Sequence, residues 1–224
     1  MKIIVLSCSK NEDTFEPFHD LMEKYYPCHP EIIYFSDGIK NPYYKTIIVE
    51  NELSTWTKGF REFLNQINDE QVLLMIDDCF IRQPVDICRI NEASDILELS
   101  IRLNGKIACL NFEKSWDEAD EETSFHGWKK RKHGSRFEVS LMCGLWDREK
   151  LIEVCDRDCS PWEIEENQDS KGYDYYINSG DYIIDWGYKT FELVGKVKGE
   201  WTEETIKFLE SEGYHVGIKG RNHK

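Results

Sequence analysis

The chain has 224 residues, 40% hydrophobic and 13% aromatic, with a net charge of −15. That apolar content excludes a disordered polymer, and the length suits one sizeable core, read here as a single domain over 1–224. The acidity works against broad affinity for nucleic-acid backbones. Lys129, Lys130, Arg131, Lys132 and His133 form the one basic run, with Arg136 just beyond it, and such runs are most often solvated loops. The cysteines read as free thiols: Cys8, Cys79, Cys109 and Cys143 lie in or beside apolar runs, and Cys155 and Cys159 have no second pair at zinc-ribbon spacing. The opening apolar run, Ile3 to Leu6, is too short for a signal peptide, and no stretch approaches the roughly 20 apolar residues of a membrane span. A reduced, cytoplasmic setting is expected.

In chain order, Lys2 to Ser7 reads as a buried strand followed by a polar loop. Thr14 to Tyr25 has helical spacing, with Phe15, Phe18, Leu21, Met22 and Tyr25 on one side, and Pro27 and Pro30 end it. Glu31 to Phe35 is a second strand, stopped by Ser36-Asp37-Gly38, and Lys45 to Val49 a third. Ser54 to Ile67 is an amphipathic helix with Trp56, Phe60, Phe63, Leu64 and Ile67 as its inner stripe. Gln71 to Ile76, a fourth strand, runs straight into Asp77-Asp78. This alternation predicts an α/β fold with a mostly parallel sheet flanked by helices, whose ligands sit outside the carboxyl ends of the strands. The regular alternation covers 1–86, and the remainder, 87–224, is less regular. In the second half, Ile87 to Leu103 reads as a helix and Lys106 to Asn111 as a strand, and 113–132 as an excursion without a clear period. Phe137 to Trp146 alternates and reads as a strand, and Asp147 to Cys155 as a short helix. Ser160-Pro161-Trp162-Glu163 opens another helix, Glu192 to Val197 is a final strand, and Thr202 to Glu212 is a helix capped by Thr202.

Adjacent carboxylates at the end of a buried strand repel unless a cation or hydrogen bonds offset them. Mn²⁺ or Mg²⁺ on Asp77 and Asp78, bridging a diphosphate, would do so and would stabilise a departing diphosphate. An Asp-Asp turn in which one side chain caps the next segment is the plainer alternative.

Val5-Leu6-Ser7-Cys8, Ser54-Thr55-Trp56, Val72 to Phe80, and Ser140 to Asp147 followed by Ser160-Pro161-Trp162-Glu163-Ile164-Glu165 together resemble the GT-A glycosyltransferases, in particular small bacterial and bacteriophage-encoded relatives of capsule and lipopolysaccharide enzymes. The resemblance implies transfer of a sugar from a nucleotide-diphosphate sugar, a UDP-sugar first, to a hydroxyl of a glycan, a lipid-linked sugar or a modified DNA base. It implies that Ser7, Cys8, Asp37, Trp56 and Asp77 bind the donor, that Asp77 and Asp78 serve the metal or the donor sugar, and that Glu163 is the base of an inverting reaction, with Glu165 as a substitute. Asp-Asp is adjacent here, unlike the spaced Asp-x-Asp of many such enzymes. Ser160 to Glu163 also matches a capping box, a role that competes for the same carboxylate. Two other classes stay open: a metal-dependent nucleotidyl or phosphoryl enzyme, and a non-enzymatic binding protein on the same scaffold. Trp162 is a candidate for an acceptor site, whereas Trp56 and the tryptophans at 128, 146, 186 and 201 fit core positions as readily.

Overall fold

The computed structural model describes residues 1–50, 52–114, 120–167, 170–187, 195–197 and 199–215. The elements in chain order are β1 (Lys2–Leu6), α1 (Phe15–Tyr25), β2 (Ile32–Ser36), β3 (Lys45–Ile48), α2 (Trp56–Leu64), β4 (Gln71–Ile76), α3 (Ile87–Arg102) and β5 (Ile107–Lys114). They continue with β6 (Glu121–Glu122), β7 (Trp128–Lys130), β8 (Gly144–Asp147), α4 (Arg148–Val154), α5 (Pro161–Asn167), β9 (Asp174–Asn178), β10 (Lys196–Val197), β11 (Glu200–Trp201) and α6 (Glu203–Ser211).

Nine strands form one sheet in the order β3-β2-β1-β4-β8-β5-β9-β7-β6. The block β3-β2-β1-β4 is parallel, as is the pair β5-β9, while β8 runs antiparallel to both β4 and β5. The α/β class with helices on both faces of the sheet is as the alternation predicted. The inner strands are buried on both faces, which explains their continuous apolar runs. Ile3, Val5, Tyr34, Leu73 and Met75 face one layer with Phe18, Leu21 and Met22 of α1 and Ile90, Ala93 and Leu97 of α3. Ile4, Phe35, Val72 and Leu74 face the other, with Phe60 and Phe63 of α2 and Leu151 and Val154 of α4. Each such aliphatic side chain contributes about 1.5–3 kcal/mol through burial.

Three expectations change. The alternating segment 137–146 is a strand only from Gly144; Phe137 has a positive φ of 59°, and the backbone N–H groups of Leu141 and Met142 go to side chains instead of a ladder. The excursion 113–132 contains β6 and β7, which extend the sheet edge: β7 pairs antiparallel with β9, and β6 antiparallel with β7. Of the predicted strand 192–197, residues 192–194 lie outside the described residues, and Lys196–Val197 pairs with Glu200–Trp201 in a separate small hairpin. Thr202 caps α6 as predicted, its hydroxyl accepting from the Thr205 N–H. No helix among the described residues is long and apolar enough to cross a membrane.

Candidate active site

Parallel register decides what meets at the sheet's edge. Leu6 is level with Phe35 and with Ile76, so the loops after β1, β2 and β4 emerge side by side. Two backbone bonds fix this: Ser7 N–H donates to Phe35 O at 3.0 Å, and Asp77 N–H to Leu6 O at 3.2 Å. Above them lies a cavity of about 330 Å³. Leu6, Ser7, Cys8, Asn11, Phe35, Asp37, Ile76 and Asp77 line its base, and Glu52, Leu53 and Trp56 one wall. The opposite wall is Leu141, Met142, Pro161, Trp162 and Glu165. The walls are tied together through Thr57, whose N–H donates to Cys159 O and whose hydroxyl accepts from the Cys159 N–H at 2.9 Å. That clasp brings the start of α2 beside the start of α5. The predicted donor residues Ser7, Cys8, Asp37, Trp56 and Asp77 are therefore all in one cavity lining.

Asp77 is fully buried. Ser7 Oγ donates to its Oδ2 at 2.6 Å, and Asn11 Nδ2 to its Oδ1 at 2.8 Å. Asn11 is a partner the sequence reading missed. Despite these bonds, burial, and secondarily the neighbouring Asp78, push the Asp77 carboxyl up to about 7. Asp37 is exposed at the rim and accepts from the Ser9 N–H at 2.5 Å. Burial also pushes the Cys8 thiol up, so it remains a thiol at neutral pH.

Asp78 is placed differently. Its Oδ2 accepts from the Lys196 N–H at 2.7 Å, and it is not part of the cavity lining. Gly195 has φ +75°, and a Cβ there would come within 2.6 Å of that carboxylate. Only glycine permits the approach. Asp78 thus latches residues 195–196 against the end of β4, and Lys196 Nζ reaches on to Asp13. The two carboxylates of the pair are held by different partners, and among the described residues no group of three or more His, Cys, Asp or Glu side chains is arranged to hold an ion. An Mn²⁺ or Mg²⁺ bridging Asp77 and Asp78 does not fit these partners, since it would compete with the Ser7, Asn11 and Lys196 bonds for the carboxylate oxygens. Asp78→Ala is expected to destabilise the fold by roughly 1–3 kcal/mol, the cost of a charged hydrogen bond lost from a partly buried site. Urea denaturation reads this directly.

The two acids of α5 also part company. Glu163 accepts from the Ser160 N–H at 2.8 Å, and the Glu163 N–H donates back to Ser160 Oγ at 3.3 Å. This is a capping box, and it holds the Glu163 carboxyl below its usual range. Glu163 is exposed and outside the cavity lining. Glu163→Ala is expected to lower the melting temperature and leave ligand binding in the cavity unchanged, which a thermal melt with and without ligand checks. Glu165, two residues on and so on a different face of the helix, is in the lining. The Leu141 N–H donates to its Oε1 at 2.8 Å, and burial pushes its carboxyl up.

Trp162 is 59% exposed at the cavity mouth, facing the same space as Leu53 at 57%. By contrast Trp128, Trp146 and Trp186 are buried core residues. The basic run is largely neutralised within the fold. Lys129 pairs with Glu122 at 3.0 Å, Lys130 with Asp174 at 2.8 Å, Arg131 with Asp120 at 3.9 Å and His133 with Glu138 at 3.1 Å. Arg136 stacks over Phe137. These partners offset part of the run's positive charge.

No family model matches the sequence, and no curated protein matches it. Among solved structures the chain is similar to a CMP:2-keto-3-deoxy-manno-octonic acid synthetase complexed with CTP, with TM-score 0.50 and 9% identity over 78% of this chain and 87% of that one. It is also similar to S. aureus TarS, with TM-score 0.49, 14% identity and coverage of 81% of this chain and 35% of that one. For the bifunctional IspDF from Campylobacter jejuni the TM-score is 0.44 and the identity 13%, over 81% of this chain and 50% of that one. The chain thus spans half or less of these last two proteins. At such identities the likeness is one of fold.

Proposed function

We propose that the chain is a transferase that moves a sugar from a nucleoside-diphosphate sugar to a hydroxyl acceptor, with Glu165 as the general base. The observation that carries this reading is the presence of Glu165 in the same cavity as Asp37 and Asp77, at the edge of the sheet where open α/β folds bind ligands. The apolar lining of Phe35, Leu53 and Trp56 suits the faces of a nucleobase. Asp37, at the rim, suits the hydroxyls of a ribose. The acceptor enters beside Trp162, whose exposed indole suits the face of a sugar ring.

Among the described residues the hydrogen bonds to Glu165 fall on Oε1, and Oε2 is the oxygen assigned to the acceptor proton. In the reaction, Glu165 takes that proton as the acceptor oxygen bonds to the anomeric carbon. The bond from the anomeric carbon to the diphosphate oxygen breaks, and the nucleoside diphosphate leaves. A carboxylate with a raised pKa is a stronger base than an exposed one, which favours this role over that of Glu163. The test is the identity of the leaving group. Incubation with a panel of nucleoside-diphosphate sugars should release a nucleoside diphosphate from one of them. Release of pyrophosphate from a nucleoside triphosphate in the presence of a sugar or sugar acid would replace this reading with nucleotidyl transfer.

A further inference from the structure

The cavity is lined by the carboxyl groups of Asp37, Glu52, Asp77 and Glu165, and no lysine or arginine is among its lining residues. A donor brings a diphosphate, whose negative charge these acids oppose. A cation has to stand close by to hold it, above all as it leaves. A metal shared by Asp77 and Asp78 does not fit their partners.

One ammonium reaches the lining from outside. Lys196, at the start of β10, has a side chain only 7% exposed. Its Nζ donates to Asn11 Oδ1 at 3.5 Å, and Asn11 in turn lines the cavity and donates to Asp77. The same Nζ pairs with Asp13 and lies 4.5 Å from the centre of the Trp201 ring. Trp201 Nε1 donates to the other oxygen of Asp13 at 3.1 Å. The backbone of Lys196 is held separately, by the bond from its N–H to Asp78 Oδ2 at 2.7 Å. The side chain is therefore not needed to keep residue 196 at the end of β4.

An ammonium has three N–H groups to donate. The one given to Asn11 makes a long bond, at the limit of a hydrogen bond. Asp13 and Trp201, which hold the ammonium more closely, do not line the cavity. Resting on the reading of the cavity as a donor site, we propose that Lys196 binds the donor diphosphate: one N–H passes from Asn11 Oδ1 to a phosphate oxygen, and the ammonium offsets the charge of the nucleoside diphosphate as it leaves.

A plain clamp between the β10-β11 hairpin and the segment before α1 is the rival reading of the Lys196–Asp13 pair. The two readings differ in sign. A clamp broken from either side loosens the fold alike. A phosphate site responds oppositely from its two sides: loss of the ammonium weakens diphosphate binding, and loss of the competing Asp13 carboxylate strengthens it.

Calorimetric titration of the purified chain in excess chelator tests this, with a panel of nucleoside diphosphates and the matching nucleosides as probes. One nucleoside diphosphate should bind without added metal. Lys196→Met should weaken it roughly 10- to 100-fold, the usual worth of a charged hydrogen bond, and leave the nucleoside unchanged. Lys196→Arg should restore most of the affinity, and Asp13→Asn should tighten it. Circular dichroism of each variant verifies folding, and Asp13→Asn carries the test if Lys196→Met does not fold. Equal losses for nucleoside and nucleoside diphosphate in Lys196→Met, weaker binding in Asp13→Asn, or binding that appears only on adding Mn²⁺ or Mg²⁺ overturns the proposal. Binding of no nucleoside diphosphate at all overturns it too. A chain that binds a nucleoside diphosphate through Lys196, yet releases none from any nucleoside-diphosphate sugar, would sink the transferase reading and leave the Lys196 site standing.

Discussion

Glu165→Gln is expected to lower sugar transfer by about 10²–10⁴-fold, the usual worth of a general base, while leaving donor affinity unchanged. Glutamine keeps an oxygen to accept the Leu141 N–H and Ser140 bonds, so the wall of the cavity is retained. Only proton acceptance is lost. The pH dependence carries a sign of its own. A base works ionised, and the Glu165 carboxyl is pushed up by burial, so turnover should fall on acidification at a pH above the ordinary carboxylate range. Steady-state kinetics of both proteins across pH check the two statements together. A variant that loses affinity with turnover intact would make Glu165 a binding residue.

The second large effect concerns stability. Asp77 has an ordinary value of 3.8 and is pushed up to about 7 in the fold. The native state therefore holds a proton that the unfolded chain releases, and stability falls as pH rises through that window. Above it the full cost of a buried carboxylate is present. Asp77→Asn removes that cost, on the order of a few kcal/mol, so the variant should be more stable than the parent at alkaline pH. The difference should vanish as pH falls towards 3.8. Asparagine fits the site: its oxygen accepts from Asn11 Nδ2, and Ser7, which now donates, turns its hydroxyl to accept. Urea denaturation at several pH values gives the difference. An equal or lower stability of the variant at alkaline pH would show that Asp77 is held ionised by partners stronger than Ser7 and Asn11.

The parallel half of the molecule was legible because each inner strand is buried on both faces and therefore reads as an unbroken apolar run. The run Val72 to Ile76 located the edge of the sheet, and with it Asp77, from residue types alone. What the pair's two members do was not legible. Asp78 turns to the backbone of Lys196, far away in sequence, and no local pattern announces such a latch. Glu163 and Glu165 were separable in principle. Ser160 and Pro161 already gave Glu163 a capping partner, and a carboxylate drawn back to the helix start is not free to face a cavity. Residues 137–143 alternate as a strand would, yet the N–H groups of Leu141 and Met142 go to the Glu165 carboxylate and the Ser140 hydroxyl, a tertiary demand that overrides the period. The edge strands β6 and β7 are two and three residues long, too short for any periodicity to appear.

The central claim is that the cavity between Asp37, Asp77 and Glu165 binds a nucleoside-diphosphate sugar, and calorimetric titration with a panel of such donors tests it most directly. The account predicts that one donor binds the parent chain and that Asp37→Ala and Trp56→Ala each weaken it. Binding of none, or binding that neither substitution weakens, would contradict it.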